Sequence, residues 1–210
     1  MLQLMSEGTM YTDLGDHPRD YWGSAYIQTS DIDLVNDHAS IAPIGNDNTN
    51  FTGEYDGGRF AIKNWAYSGQ ENRTGLFGYI SDAALRHIRL SGVWVLSSPY
   101  DRGFLVGRGV TSTIYDIDAD FSEGTEFLVN SVYTCGTVIG YADRCDMRGL
   151  SVRGTISFDQ QTAQGSTGGI VGLATGSTLD LCRNIATFPT GINGYYAGGI
   201  IGQIGGTGVF

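Results

Sequence analysis

The chain has 210 residues, a formal net charge of -10, 32 glycines and only 4 prolines. The acidic balance disfavours nucleic acid and anionic membranes as partners, since both carry negative charge. No apolar run approaches the roughly 18 residues of a membrane-spanning segment, and the lack of a Gly-X-Y period excludes collagen. Helical apolar periodicity is also missing, so the composition predicts an all-β protein.

The first 74 residues are predicted to form a β-rich N-terminal lead-in or cap. Residues 1–9 lack a basic segment followed by an apolar core, so no signal peptide is expected. Residues 26–34 alternate apolar and polar side chains, as a half-buried strand does. Residues 51–62 contain two strand-like runs around Asp56-Gly57-Gly58, which predicts a hairpin-like turn. No linker separates this region from residues 75–210, so we expect one continuous domain.

From residue 75 onward, a short apolar segment closed by glycine recurs at a nearly constant distance. Successive closing glycines are 29, 33, 32 and 30 residues apart. They are Gly78, Gly107, Gly140, Gly172 and Gly202. Such a period is typical of stacked repeats rather than of a single irregular core. Glycine at this place predicts a sharp turn that closes each coil.

The same register extends beyond each of these short apolar segments closed by glycine, which we call cassettes. Counting seven, ten and twelve residues from each closing glycine gives three columns of aligned positions, which are apolar except at Asn184. The columns are Leu85, Ile114, Met147, Leu179 and Val209; Ile88, Ile117, Leu150 and Cys182; and Leu90, Ala119, Val152 and Asn184. A parallel β-solenoid with about 30 residues per coil explains them, because equivalent residues then stack about 4.8 Å apart.

Three cassettes resemble the Gly-Leu-aliphatic-Gly repeat of the GLUG-motif family, at residues 75–78, 168–172 and 198–202. The lead-in is also similar to what precedes such repeats, at residues 26–28, 31–34, 43–45 and 51–57. The resemblance covers most of residues 24–210. Two cassettes depart from the pattern, with Arg102 and Cys135 where a second glycine would stand.

This resemblance implies a right-handed parallel β-helix and supplies no catalytic residue. The family's repeats occur in large bacterial surface and secreted proteins, including some adhesins, and in viral proteins. The chain also stops in mid-coil, eight residues after its last closing glycine. Because an open solenoid end needs a cap, we expect a fragment of a longer protein or an end covered by a partner.

The best candidate for a catalytic or calcium site is the run that contains Asp116, Asp118 and Asp120. Alternation along a strand places the three carboxylates on the outer face of the solenoid. Clustered carboxylates serve acid–base catalysis or Ca²⁺ binding. The repeat register, however, aligns Arg89 with Asp118 and Arg153 with Asp120, which predicts ion pairs between neighbouring coils instead.

Six aromatic residues near predicted turns and loops are candidates for a ligand-binding surface. They are Trp22, Trp65, Trp94, Tyr100, Tyr195 and Tyr196. Exposed Trp and Tyr side chains stack on sugars or anchor protein interfaces. The alternative is that they pack at coil corners or beneath loops.

Residues that would support other chemistry are scattered. The three histidines lack metal-ligand spacing. The three cysteines, Cys135, Cys145 and Cys182, include no CxxC pair. Nucleophile-elbow, P-loop and dinucleotide-binding motifs are absent. We therefore expect no metal, no cofactor and buried, unreactive cysteines.

The sequence thus predicts a non-enzymatic structural or adhesive module that is extracellular or displayed on a cell or virion surface, for example as a minor capsid protein. Its expected partners are proteins of a larger surface assembly or capsid, and carbohydrate, contacted through loops and coil ends. No nucleic-acid partner is expected. The alternative is a polysaccharide-degrading β-helix enzyme, a lyase or glycoside hydrolase, that uses Asp116, Asp118 and Asp120.

Overall fold

The computed structural model describes residues 22–35, 41–67, 69, 71–92, 94–97, 100–128, 132–158, 163–189 and 195–206. In these residues the regular secondary structure is entirely β-strand, which confirms the predicted all-β class. Accordingly, the described residues contain no helix that could cross a membrane. In chain order the strands are β1 (Ala25–Ile27), β2 (Ile32–Asp33), β3 (Glu54–Asp56), β4 (Ala61–Lys63), β5 (Ala66–Tyr67), β6 (Arg73–Thr74), β7 (Phe77–Ser81), β8 (Ala84–Ser91), β9 (Val95–Ser97), β10 (Asp101–Arg102), β11 (Val106–Val110), β12 (Thr113–Leu128), β13 (Val132–Gly136), β14 (Ile139–Asp143), β15 (Asp146–Phe158), β16 (Ala163–Gly168), β17 (Val171–Thr175), β18 (Thr178–Asp180), β19 (Arg183–Asn184), β20 (Tyr196–Gly198) and β21 (Ile201–Gly205).

These strands form three parallel sheets that wind around one core. Sheet 1 contains eleven strands, sheet 2 contains β6, β10, β13, β16 and β20, and sheet 3 contains β7, β11, β14, β17 and β21. One coil passes through sheet 2, sheet 3 and sheet 1 in turn, as β13, β14 and β15 do. Strands pair in parallel with their equivalents in the neighbouring coils, about 30 residues away. This is the β-solenoid that the glycine spacing predicts.

The three predicted apolar columns stand in register within sheet 1. Leu85, Ile114, Met147 and Leu179 are aligned by successive strand pairs. The other two columns align in the same way, except that Cys182 lies between β18 and β19 and is half-buried. Every column member between residues 85 and 152 is at most 1% exposed. The polar exception, Asn184, donates its side-chain N–H to the carbonyl oxygen of Gly199 at 2.6 Å. Val209 lies outside the described residues.

The register of sheet 1 also extends upstream of the first cassette. Tyr26 pairs with Tyr55, and Tyr55 pairs with Leu85, so the first apolar column continues into the lead-in. Ile32, Ile62 and Leu90 continue the third column in the same manner. Strand pairing therefore crosses residue 75 without a break, and the described lead-in strands belong to the same stack.

The predicted hairpin-like turn at residues 56–58 is wrong. β3 and β4 flank it, but each pairs in parallel with β8 rather than with the other. Gly58 takes a φ of 57°, and the backbone N–H of Gly57 donates to the carbonyl oxygen of Arg86 at 2.8 Å. The glycines therefore kink a chain that continues along the sheet, and they do not reverse its direction.

The closing glycines lie inside the strands of sheet 3 rather than at the turn, and their φ angles are not positive. A Cβ on Gly140 would lie 2.6 Å from the carbonyl oxygen of Gly107 and 2.7 Å from that of Arg102. Glycine is required here because the backbones of sheets 2 and 3 approach closely. The bend between sheets 2 and 3 lies between the two glycines, at Thr137 and Val138 in the third cassette. The first glycine, such as Gly136, is the last residue of a sheet 2 strand, and a Cβ there would collide with the carbonyl oxygen of Ile139.

Candidate ligand-binding groove

The acidic run on β12 is paired with arginines of neighbouring coils, as the repeat register predicts. Asp118 lies 2.9 Å from a guanidinium nitrogen of Arg153 and 3.8 Å from one of Arg89. Asp120 lies 2.9 Å from Arg153. The pKa of the Asp120 carboxyl lies below its ordinary value because it accepts a hydrogen bond from the Ser122 hydroxyl and lies against Arg153. The predicted ladder of ion pairs is therefore confirmed, and an acid catalyst would need the opposite pKa shift.

Asp116, the third carboxylate of this run, has a left-handed backbone with a φ of 54°. Backbone strain of this kind is often found at functional sites. Here it repeats in the neighbouring coils, where His87 (53°), Gly149 (67°) and Leu181 (53°) stand at equivalent positions. The conformation is therefore a regular kink of sheet 1, and the carboxylate of Asp116 pairs with Arg59 at 2.6 Å.

The three candidate tryptophans are buried, so the prediction that they form an exposed ligand-binding surface is wrong. Trp65 and Trp94 are fully buried and Trp22 is 8% exposed. Trp94 packs against Trp65 and Phe104, with ring centroids 5.8 Å apart in both cases. These large apolar rings fill the interior beneath a coil corner because burial of their surface stabilises the fold.

The three candidate tyrosines are exposed: Tyr100 by 42%, Tyr195 by 78% and Tyr196 by 54%. Tyr100 and Tyr196 line a surface groove of about 500 Å³, which the structure places along sheets 2 and 3. Tyr195 is not among the residues lining the groove. Two of the six predicted aromatic residues are therefore brought to one concave site.

The groove is built from two ladders of outward-facing side chains, one on each sheet. The sheet 2 ladder is Arg73, Asp101, Thr134, Ser166 and Tyr196. The sheet 3 ladder is Tyr79, Arg108, Tyr141, Leu173 and Gln203, of which all but Tyr79 line the groove. Five strands at a spacing of about 4.8 Å make each ladder about 19 Å long. The groove therefore runs across the strands, along the axis of the solenoid.

Side chains of the two ladders meet where the closing glycines bring sheets 2 and 3 together. The Ser166 hydroxyl donates to the side-chain oxygen of Gln203 at 2.5 Å. The guanidinium of Arg73 lies over the ring of Tyr79, 5.0 Å from its centroid. These contacts hold the groove walls in fixed positions, which reduces the entropy that a ligand must overcome on binding.

One carboxylate, that of Asp101, lies between two arginines in the groove. Its oxygen accepts a hydrogen bond of 2.6 Å from the Thr134 hydroxyl. The nearest contacts to Arg73 and Arg108 are 3.8 and 4.0 Å. Burial raises the pKa of the Asp101 carboxyl, although Thr134 and the two guanidinium groups oppose this shift. The groove therefore combines aromatic faces with hydrogen-bonding groups of both signs of charge.

The cysteines and histidines contribute no comparable site. Burial raises the pKa of the Cys135 thiol to about 12 and that of Cys145 to about 11, which disfavours the reactive thiolate. Among the described residues, no three His, Cys, Asp or Glu side chains are grouped so as to hold a metal ion. His17 and His38 lie outside the described residues.

Sequence reasoning missed Arg73, Asp101, Arg108 and Tyr141, although the repeat contains a signal for the sheet 3 ladder. Each member of that ladder is the residue that directly follows a closing glycine. The sheet 2 ladder stands five or six residues before the same glycines. Counting from the cassette would therefore have aligned each ladder, but not shown that the two ladders line one groove.

Comparisons of the chain with protein-family models, with curated proteins and with solved structures found no match.

Proposed function

We propose that this protein is a non-enzymatic β-solenoid module of a cell or virion surface, and that it binds carbohydrate in the groove between the two ladders. The observation that carries the proposal is a preformed groove in which Tyr100 and Tyr196 are exposed beside hydrogen-bonding side chains. Sugars bind to such surfaces through their apolar ring faces and hydroxyl groups, which match aromatic and polar side chains respectively.

The rigid stack supports a role in display or assembly. Parallel coils extend a solenoid through contacts between neighbours alone, which suits a stalk or a shell component. Leu181, Ile185 and Ile204 lie on or beside the last described strands and are at least half exposed. Exposed apolar side chains of this kind favour protein contacts within a larger surface assembly.

Asp101 gives the enzymatic alternative one observation in its favour, since burial raises the pKa of its carboxyl as a general acid requires. Glycoside hydrolysis commonly uses a pair of carboxyl groups on either side of the scissile bond. Asp101 is the only Asp or Glu among the described residues that line the groove. Binding without cleavage therefore fits the groove better than hydrolysis does.

A glycan array followed by calorimetric titration tests the proposal. We expect the unmodified protein to bind a defined set of oligosaccharides and Tyr196→Ala to weaken that binding about three- to tenfold, since an aromatic contact contributes about 0.5–1.5 kcal/mol. Tyr195→Ala is the matched control, because its side chain is exposed next in sequence but lies outside the groove lining. Its binding should be unchanged.

Three results would contradict the proposal. The first is an array without any bound saccharide. The second is an equal loss of affinity in Tyr195→Ala and Tyr196→Ala. The third is the appearance of shortened chains when a bound oligosaccharide is incubated with the protein and separated by chromatography, since that would make the module an enzyme.

A further inference from the structure

Of the two arginines among the described residues that line the groove, Arg108 is the one without a carboxylate within hydrogen-bond distance. Its guanidinium lies over the rings of Tyr141 and Tyr79, 4.6 and 5.8 Å from their centroids. The nearest carboxylate, that of Asp101, is 4.0 Å away, which is beyond hydrogen-bond distance. The buried Nε of Arg108, like that of Arg73, has no hydrogen-bond partner in the described part of the chain.

Arg73, the other groove arginine, differs because it forms a closer ion pair. It contacts the carboxylate of Asp47 as well as lying 3.8 Å from Asp101. Asp101 in turn already accepts the hydroxyl proton of Thr134. The guanidinium of Arg108 is therefore held in place by aromatic rings, and its side chain is 26% exposed. The terminal NH groups, unlike the buried Nε, face the groove as donors, and a carboxylate matches them in shape and charge.

We propose that the groove selects saccharides that carry a carboxylate, which binds to the guanidinium of Arg108 where this lies over the rings of Tyr79 and Tyr141; this rests on the carbohydrate-binding function proposed above. The acid group accepts hydrogen bonds from the guanidinium, and the neighbouring sugar rings lie along the groove towards Tyr196. With a net charge of -10, the protein repels long polyanions, so the ligand is an oligosaccharide with few acid groups.

The direction of the groove favours a sugar acid over an acidic peptide. Extended peptides commonly gain affinity by adding a strand to an open sheet edge. The groove crosses five strands of sheet 2 and four of sheet 3, and the backbone groups of its central strands are already paired with neighbouring coils. A ligand lying along it can use only side chains, and the tyrosine faces suit pyranose rings.

A substitution at Asp101 gives a second test of the same geometry, in which we expect tighter binding instead of weaker binding. A ligand carboxylate on Arg108 would lie close to the carboxylate of Asp101, and two like charges repel at this distance. Asp101→Asn removes the repulsion and keeps an oxygen that accepts the Thr134 hydroxyl. This variant should bind an acidic sugar at least threefold more tightly, whereas its affinity for a neutral sugar should not increase.

The experiment compares sialyllactose, digalacturonic acid and a glucuronic acid disaccharide, each beside its neutral methyl ester, by calorimetric titration. We expect at least one acid to bind about tenfold or more tightly than its ester. Arg108→Gln should lose that preference, since truncating one partner of a desolvated charge pair is costly. Arg144→Gln is the control, because it removes the same charge from a side chain outside the groove lining. Circular dichroism of each variant verifies that it is folded.

The outcomes separate this inference from the function on which it rests. Equal binding of acids and esters overturns the acid specificity but leaves carbohydrate binding intact. Binding of neither form, by a protein that also binds nothing on the glycan array, overturns both. An acidic peptide that binds as tightly as the best sugar acid overturns the assignment to saccharides. Loss of the preference in both Arg108→Gln and Arg144→Gln makes it a general charge effect and overturns the role of Arg108.

Discussion

Gly140→Ala should destabilise the protein by about 3 kcal/mol or more, at the upper end of what overpacking a dense interior costs. The added Cβ would lie 2.6 Å from the carbonyl oxygen of Gly107 and 2.7 Å from that of Arg102, and it would also meet the backbone nitrogen of Arg102. All three atoms belong to backbone that is paired between coils, so no side-chain rotation relieves the collision. Sheets 2 and 3 would have to separate.

Gly199→Ala is the matched control within the same kind of cassette. A Cβ there meets nothing within 4 Å, and the φ angle of Gly199 is not positive. We expect a change within about 0.5 kcal/mol. Urea and thermal unfolding followed by circular dichroism measure both variants, and Gly140→Ala should melt about 6–12 °C below the unmodified protein. Equal stability of the two variants would show that the closing glycine is not required for the approach of the two sheets.

Trp94→Ala should destabilise the protein by about 3–5 kcal/mol, the usual cost of removing a large buried aromatic side chain. The ring of Trp94 is fully buried and contacts Trp65, Phe104 and Phe121, with centroids 5.8 to 6.2 Å away. Its N–H donates to the carbonyl oxygen of Ser91 at 2.7 Å. Truncation therefore leaves a cavity in the interior and removes this hydrogen bond, so that the Ser91 carbonyl oxygen keeps only the longer bond of 3.3 Å from the backbone N–H of Asn64.

The control for this prediction is Tyr195→Ala, which removes a side chain that is 78% exposed and should change the free energy of unfolding by about 0.5 kcal/mol or less. Urea titration monitored by circular dichroism gives both values. A Trp94→Ala variant of normal stability that no longer binds carbohydrate would mean that Trp94 acts in ligand binding and not in the core.

The apolar columns and the ion pairs of Asp118 were predictable because both follow from the repeat spacing. Once coils stack in parallel, the residue ten positions after Gly78 must lie beside the residue ten positions after Gly107. The same count places Arg89 beside Asp118 and Arg153 beside Asp120. Register is a property of the chain as a whole, so a short apolar motif that recurs is sufficient to determine it.

Burial of individual aromatic residues was less predictable, because it depends on the path of the chain between strands. Trp94 lies between β8 and β9, where the sequence suggests a turn, yet its side chain points into the core. Tyr100 occupies a similar place before β10 and is exposed. Both residues have amphipathic rings and lie beside turns. Only the direction of the backbone at each position decides that Trp94 is buried and Tyr100 is exposed.

The groove itself was only half predictable, because the repeat aligns the residues of each ladder but does not show which ladders lie side by side. Arg108 and Tyr141 each follow a closing glycine, so the repeat aligns them in one ladder. That this ladder lies beside Asp101 and Thr134 requires the close packing of sheets 2 and 3, which the glycines permit but do not specify by their spacing. The sequence predicts binding through loops and coil ends, whereas the groove proposed to bind carbohydrate lies on an outer face of the coils.

A crystal structure of the protein with the acid that binds most tightly in the ester comparison tests the central claim most directly. The account predicts sugar rings lying along the solenoid axis between the two ladders, in contact with Tyr196, and a carboxylate within hydrogen-bond distance of Arg108. A sugar bound to a loop or a coil end, with the groove between sheets 2 and 3 empty, would contradict it.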